Sequence, residues 1–213
     1  MPGERTYHHG DLRRAVLTAA LDVIAADGPD ALSLRDLARR AGVSHAAPAH
    51  HFKDRTGLLT AVAAEGYALF ADALAKAPGL QERGVAYVRF ASTHPAHFQV
   101  MFRPELHRAD DPALLAARAR ATEALRSGVD GLPEAARGED ARLAGVAAWS
   151  LAHGFATLLL SGNLSGALEG RAPEDAFRTL AGLVFARGAG GDAQPAAPPP
   201  RPAAPTDGRT AGS

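Results

Sequence analysis

Three observations predict an all-α fold for this chain of 213 residues. Alanine and leucine dominate its periodic segments at helical spacing, and no convincing run alternates β-branched with polar residues. The third is the stretch Ser33 to Arg55, SLRDLARRAGVSHAAPAHHFKDR, which reads as two short helices joined by a tight turn. Leu34, Leu37, Ala38 and Ala41 fall at i, i+3, i+4 and i+7 and make one apolar face, while Arg35, Asp36, Arg39 and Arg40 occupy the other. Gly42 supplies the left-handed residue that stops the first helix, and Ser44 is a good cap for the next. Helix, glycine-containing turn and helix make a helix-turn-helix unit, whose second helix enters the major groove of DNA.

Composition bounds the rest. The length allows one or two domains, and 46% apolar residues suffice for a substantial core. The absence of cysteine excludes disulfides, iron–sulfur clusters and thiolate zinc sites. Basic and acidic side chains balance at 23 each, so the global charge does not announce a nucleic-acid partner. The local charge does: within residues 33–55, Arg35, Arg39, Arg40, Lys53 and Arg55 face only Asp36 and Asp54, and His45, His50 and His51 add donors. Charged residues interrupt the N-terminal segment early, unlike a signal peptide, and a cytoplasmic location is expected. Leu143 to Leu160 is long and apolar enough to span a membrane, but Trp149, Ser150, His153, Gly154 and Thr157 suit the centre of a helical oligomer better, and no membrane partner is expected.

In order, a polar arm, MPGERTYHHG, precedes a helix from Asp11 to Asp27 with the stripe Leu17, Ala20, Leu21 and Ile24, ended by Gly28-Pro29. The helix-turn-helix follows. Thr56 then caps a long helix to Lys76 carrying Leu58, Leu59, Val62, Leu69 and Leu74, broken by Pro78-Gly79. Further helices are predicted over Gln81–Thr93, Pro95–Phe102 and Pro112–Gly128, the first ending where His94 precedes proline. A long apolar helix spans Glu139–Leu164, and the last runs from Pro173 to Arg187 with Phe177, Leu180, Leu183 and Val184 on one face. The small residues Gly145, Ala148, Ala152 and Ala156 would let a partner helix approach the long one closely, as in a dimer bundle closed by the last helix. The Gly, Ala and Pro-rich remainder cannot offset its ordering entropy and is expected to be a disordered tail. The expected division is an N-terminal arm and helix-turn-helix domain over 1–55, a helical ligand-binding and dimerisation domain over 56–187, and the tail over 188–213.

Two segments together, YHHGDLRRAVLTAALDVIAADG and ALSLRDLARRAGVSHAAPAHHFKDRTGLL, resemble the N-terminal DNA-binding region of the TetR family of bacterial transcriptional repressors. The resemblance covers residues 7–60, in the order helix, SLRDLA, RRAGVS, HHFKDR and apolar helix. The pattern of Trp149, His153 and Gly154 is similar to the C-terminal ligand domain of one subgroup. The resemblance implies a homodimer of all-helical subunits that binds a near-palindromic double-stranded operator and is released by a small molecule, with no cofactor and no enzymatic activity.

Carried over position by position, it implies that Ser33 and Ser44 donate to phosphate together with helix N-terminal amides. Arg35 would read a base, and His45, Ala46 and Ala47 would face base edges. His51 and Arg55 match phosphate-contacting positions, and Tyr7, His8, His9 and Arg13 would extend the grip. Where the family commonly has a tyrosine this chain has Ala49, so that anchor is missing or shared by His50. Pro48 removes a donor early in the second helix, whose geometry is expected to suffer. Arg39 and Arg40 read better as a solvated face than as base contacts, and Phe52 reads as core. The His94–His97 pair is interrupted by Pro95 and lacks acidic or thiolate partners, so no metal site is expected. Neither G-x-S-x-G nor a phosphate-cradling glycine loop occurs.

An effector pocket in a helical domain needs large side chains around a gap and a few polar groups. Tyr87, Phe90, His97, Phe98, Met101, Phe102, Trp149 and His153 are the candidates, with about half of them expected to be plain core. The rival reading is a helical small-molecule carrier or enzyme that keeps the helix-turn-helix as scaffold; sequence-selective DNA binding separates the two.

Overall fold

The computed structural model describes residues 9–130 and 141–185. Tyr7, His8, Glu139, Arg187 and the tail over 188–213 lie outside the described residues. Every regular element among those described is helical: α1 His9–Asp27, α2 Leu34–Arg40, α3 Ala47–Phe52, α4 Arg55–Ala75, α5 Gly79–Thr93, α6 Pro95–Met101, α7 Pro112–Asp130, α8 Ala141–Leu160, α9 Ser165–Leu168 and α10 Pro173–Phe185. Single 3-10 turns at Pro29–Ala31 and Pro104–Leu106 complete the described elements.

α1 buries Val16, Leu17, Ala20, Val23 and Ile24 against α2, α3, α4 and α6; of the expected stripe Leu21 is only half-buried, and Val16 and Val23 join it. α2 ends as its glycine dictates. Gly42 takes φ +65°, its amide bonds to the Arg39 carbonyl at 3.3 Å and the Val43 amide to the Ala38 carbonyl at 3.0 Å, the paired bonds of a Schellman cap. α8 ends by the same device: Gly162 at φ +77° bonds to Leu159 and Asn163 to Leu158. The long apolar helix therefore stops at Leu160, four residues before the expected Leu164, and a separate turn of helix, α9, follows.

Two further expectations are corrected by cap chemistry. The cap of α4 is Asp54, in extended conformation, whose Oδ1 accepts from the Gly57 amide at 2.8 Å; Thr56 already lies inside the helix. α3 begins at Ala47, so Ser44 belongs to the connecting turn, and Pro48 falls in the first turn, where a helix has no intrahelical partner for its N–H. The expected distortion is thereby avoided, and the second helix of the unit has only six residues.

α4 is the central element, packed chiefly on α7 and also on α6 and α5. Leu58, Leu59, Val62, Phe70 and Leu74 are buried along it, each contributing about 1.5–3 kcal/mol of apolar burial, while Leu69 lies at the surface. α5 packs on α8 and α10. Gly84 lets that second contact close, since a Cβ there would lie 2.5 Å from the Phe177 ring. Arg178 of α10 reaches Glu82 at 2.9 Å, and the Arg83 guanidinium donates to the Ala124 carbonyl of α7.

The outer helices carry an unexpected distribution. Ala152 and Ala156 are buried within the protomer and are not the small residues of an outer face. The outward face of α8 carries instead Leu143, Val146, Gly154 and Leu158, and α10 adds Leu183 and Val184. Within one protomer Leu183 is 59% and Val184 49% exposed and Leu180 is half-buried, so this face of α10 is open to the partner helix that a dimer bundle would supply. An open apolar groove of about 670 Å³ runs between α8, α9 and α10, lined by Gly154, Leu158, Leu168, Leu180 and Leu183 among others. α4 and α8 are both long and apolar enough to cross a membrane; 56% of the apolar window of α4 is buried within the fold, and only 17% of that of α8.

Candidate nucleic-acid interface and aromatic cluster

The helix-turn-helix presents one open face. Ser33 stands in extended conformation at the start of α2, its carbonyl taken by the Leu37 amide and its hydroxyl unused by the cap. Arg35, Ser44, His45 and Ala46 are exposed, Ala47 is half-buried, and His50 is exposed on the last turn of α3. His45 and Ala46 form the turn that leads into α3. Ser33, Arg35, Arg39 and His45 border an open concavity of about 490 Å³ between α2 and that turn.

The arginines divide by what they touch. Arg39 and Arg40 both hold Asp36, each at 2.6 Å, and their guanidinium bonds keep its carboxyl below the usual range. Arg35 and His45 make no side-chain hydrogen bond or ion pair among the described residues. Arg55 is turned inward: its guanidinium donates to the Pro29 carbonyl at 2.7 Å and pairs with Asp30 at 3.2 Å. The structure thus sets Arg55 as a tie between α4 and the turn after α1, apart from the open face. His51 is half-buried, its ring 5.4 Å from His50 and 6.3 Å from Phe52. Phe52 is buried, with the Arg13 guanidinium 5.6 Å above its ring. The side chain of His9 is outside the description.

The eight predicted effector residues fall into three groups. Tyr87, Phe98, Phe102, Trp149 and His153 meet in one cluster. The Tyr87 hydroxyl lies 2.8 Å from His153 Nδ1 and accepts from Trp149 Nε1 at 3.3 Å. The phenol oxygen takes the indole N–H, and its own proton goes to His153 Nδ1 in the tautomer that carries the imidazole proton on Nε2. Phe98 stacks on His153 at 5.5 Å and Phe102 meets it edge-on at 4.7 Å. Burial pushes the Tyr87 phenol up and the His153 imidazole down, so both are neutral at pH 7. Tyr87 and Phe98 are fully enclosed, whereas Trp149 is 43% exposed.

Phe90 stands apart, against Phe70 at 5.0 Å and stacked on His94 at 4.8 Å. His97 and Met101 form the third group, packed on α4 at Gly66, where a Cβ would lie 2.6 Å from Met101 Sδ and 3.0 Å from His97 Cβ. Burial, with His94 nearby, drives the His97 imidazole down to about 4. Three residues of this region escaped the sequence reading. Phe70 packs edge-on against Tyr87 at 4.9 Å, and the Tyr67 hydroxyl donates to the Met101 carbonyl at 2.9 Å. Both belong to α4, where their spacing merged with the core stripe. The third, Arg108, ties the loop before α7 to Asp54 at 2.7 Å, a pairing across 54 residues that no local pattern signals.

An all-helical chain with an exposed basic helix-turn-helix and a second helical layer around a neutral aromatic cluster defines a DNA-binding regulator. Residues 16–62 match the family model described as bacterial regulatory proteins, tetR family, and residues 80–184 match that described as tetracyclin repressor-like, C-terminal domain. The chain belongs to the TetR family of transcriptional regulators. A protein of unknown function from Rhodococcus sp. RHA1 is 36% identical over 87% of this chain and 98% of its own, with a TM-score of 0.69. A regulatory protein in the tetR family from Rhodococcus RHA1 is 22% identical, covers 82% of this chain and 95% of its own, and superposes with a TM-score of 0.63. NalD from Pseudomonas aeruginosa, the secondary repressor of a multidrug efflux pump, is similar in fold at 19% identity, with 84% of this chain and 95% of its own covered and a TM-score of 0.54. No curated protein matches the chain.

Proposed function

We propose that the protein is a ligand-responsive repressor that binds a near-palindromic operator as a homodimer and leaves it when a small molecule binds. The observation that supports this reading most is the open face of the helix-turn-helix, where Arg35 and His45 carry donors committed to no other described residue. Arg35 reads a base, bidentately if guanine, and His45, Ala46 and Ala47 meet base edges at the N-terminal approach of α3. Ser33, Ser44, His50 and His51 serve the phosphates, while Arg55 acts from behind by holding the frame of α4.

Residues 1–55 form the DNA-reading domain and 56–187 the effector and dimerisation domain in this reading. A second copy covers the exposed apolar faces of α8 and α10, with Gly154 allowing close approach. The effector is an uncharged, largely apolar molecule, because the cluster around Tyr87 and His153 offers neutral hydrogen-bonding groups in an aromatic wall. It acts by population shift: DNA selects the state whose recognition helices stand about 34–36 Å apart, and the effector favours another spacing. The setting is cytoplasmic, where the DNA lies. A gel shift on the DNA upstream of the protein's own coding region tests the reading, followed by a thermal-shift ligand screen and operator release by the hits. Salt-sensitive, sequence-selective binding is expected. Equal binding to any duplex at low salt would refute the reading.

A further inference from the structure

Arg108 lies in the effector-side half of the chain, yet its guanidinium ends on the helix-turn-helix. Its segment is anchored: Leu106 and His107 are buried, and the Arg108 amide donates to the Thr60 hydroxyl on α4 at 2.9 Å. From there Arg108 Nη2 donates to Asp54 Oδ2 at 2.7 Å, while the other carboxylate oxygen caps α4 through the Gly57 amide at 2.8 Å. A Cβ on Gly57 would lie 2.5 Å from the same guanidinium and would also strike the Phe52 carbonyl, so the glycine is what admits this approach.

The residue next to Asp54 reverses the chain between α3 and α4. Lys53 ends α3 at φ +70°, ψ −59°, and the Asp54 amide donates back to the Phe52 carbonyl at 2.9 Å. This is a γ-turn of the positive-φ kind, which is rare and strained in a residue with a Cβ. Such a conformation persists only where its surroundings over-determine it. Here the surroundings are Asp54, shared between the α4 cap and Arg108.

We propose that Arg108 is a positioning residue for the recognition helix: by holding Asp54 it fixes the strained turn at Lys53, and with it the angle between α3 and α4, from the effector side of the molecule. Arg108 does not touch DNA. It favours the arrangement in which α3 reads its site, and movement of its segment relative to α4 loosens that arrangement. The inference rests on the DNA-reading role proposed for α3.

The experiment uses the full chain with Arg108→Ala, Arg108→Lys, Asp54→Asn and the Arg108→Ala/Asp54→Asn double variant. Asp54→Asn keeps a capping oxygen at this position and removes only the ion pair. The probes are the duplex that the wild-type protein selects from a randomised library and a random-sequence duplex. Each of Arg108→Ala and Asp54→Asn is expected to weaken the selected duplex about two- to fivefold, the scale of one exposed ion pair. The double variant should be no weaker than either single, Arg108→Lys should lose less than Arg108→Ala, and the salt slope should stay that of wild type. Hydrogen exchange at the Asp54 and Gly57 amides should quicken in Arg108→Ala while the α7 amides keep their protection. A slope lower by about one ion would make Arg108 a phosphate contact and overturn the proposal. Additive losses, or unchanged exchange at Asp54 and Gly57, would overturn it as well. If the wild-type protein selects no duplex, the DNA-binding reading fails, and the exchange measurement alone still decides whether Arg108 holds the turn.

Discussion

Arg35 and Arg55 carry the same guanidinium and end in opposite places. The first stands exposed with no partner among the described residues; the second is spent on the Pro29 carbonyl and Asp30. Sequence resemblance treats both as DNA contacts, because a motif records which residues recur and not which of their donors are already used. In the proposed role, Arg35→Ala relaxes preference at one base pair by about 1–3 kcal/mol, read by binding to single-substituted duplexes. Equal losses on selected and random DNA would remove it from base reading. The pocket candidates could be picked out because each is a large side chain on a helix, but their grouping was not legible, since it depends on how α5, α6 and α8 cross. His97 shows the difference. Enclosed between α6 and α4, it titrates near pH 4 in the fold against 6.5 when free. The neutral ring is favoured, so its contribution to stability is complete above pH 6.5 and is lost as pH falls toward 4. Denaturant unfolding at pH 7 and pH 5 should show the wild type losing more stability than His97→Leu; equal losses would contradict this account.

At the scale of elements, what the sequence made legible is what local chemistry decides. Helix stops at Gly42 and before Pro78 follow from positive φ or proline, and most of the α1 stripe follows from spacing. What stayed hidden is what two local signals contest. Asp54 and Thr56 both suit a helix start, and the aspartate wins because its carboxylate reaches the Gly57 amide while it also meets Arg108. Ser44 and Ala46 compete in the same way at α3, where Pro48 is accommodated only if the helix starts late. The small-residue stripe on α8 failed for a geometric reason: Ala152 and Ala156 face α5 and the protomer's own core, and the outward face lies about half a turn away. That outward face carries the dimer proposal. Leu183→Arg should weaken self-association at least about tenfold, the burial of one leucine, and shift sedimentation toward the monomer. A wild-type chain that sediments as a monomer at micromolar concentration would contradict it.

Across the whole molecule, α4 joins the two functions. Its first turn carries the Asp54 cap and the Arg55 tie beside the reading head, its middle carries Gly66 against α6, and its Phe70 touches Tyr87 in the aromatic cluster. A shift of α6 or of the aromatic cluster therefore meets the same rigid rod that seats α3. Removing the polar centre of the cluster should loosen that rod's partner: Tyr87→Phe leaves His153 and Trp149 without their shared oxygen, at a cost of about 1–3 kcal/mol in denaturant unfolding. Unchanged stability would show that the network contributes nothing to the fold. The central claim, a dimeric reader of DNA, is tested most directly by selection from a randomised duplex library with the purified full chain, followed by stoichiometry and salt dependence on the winning sequence. The account predicts a near-palindromic motif whose half-site centres lie about 34–36 Å apart or a multiple of that, two protomers or a multiple of two per duplex, and affinity that falls steeply with salt. Enrichment of no motif, with selected and random duplexes bound alike at low salt, would contradict it.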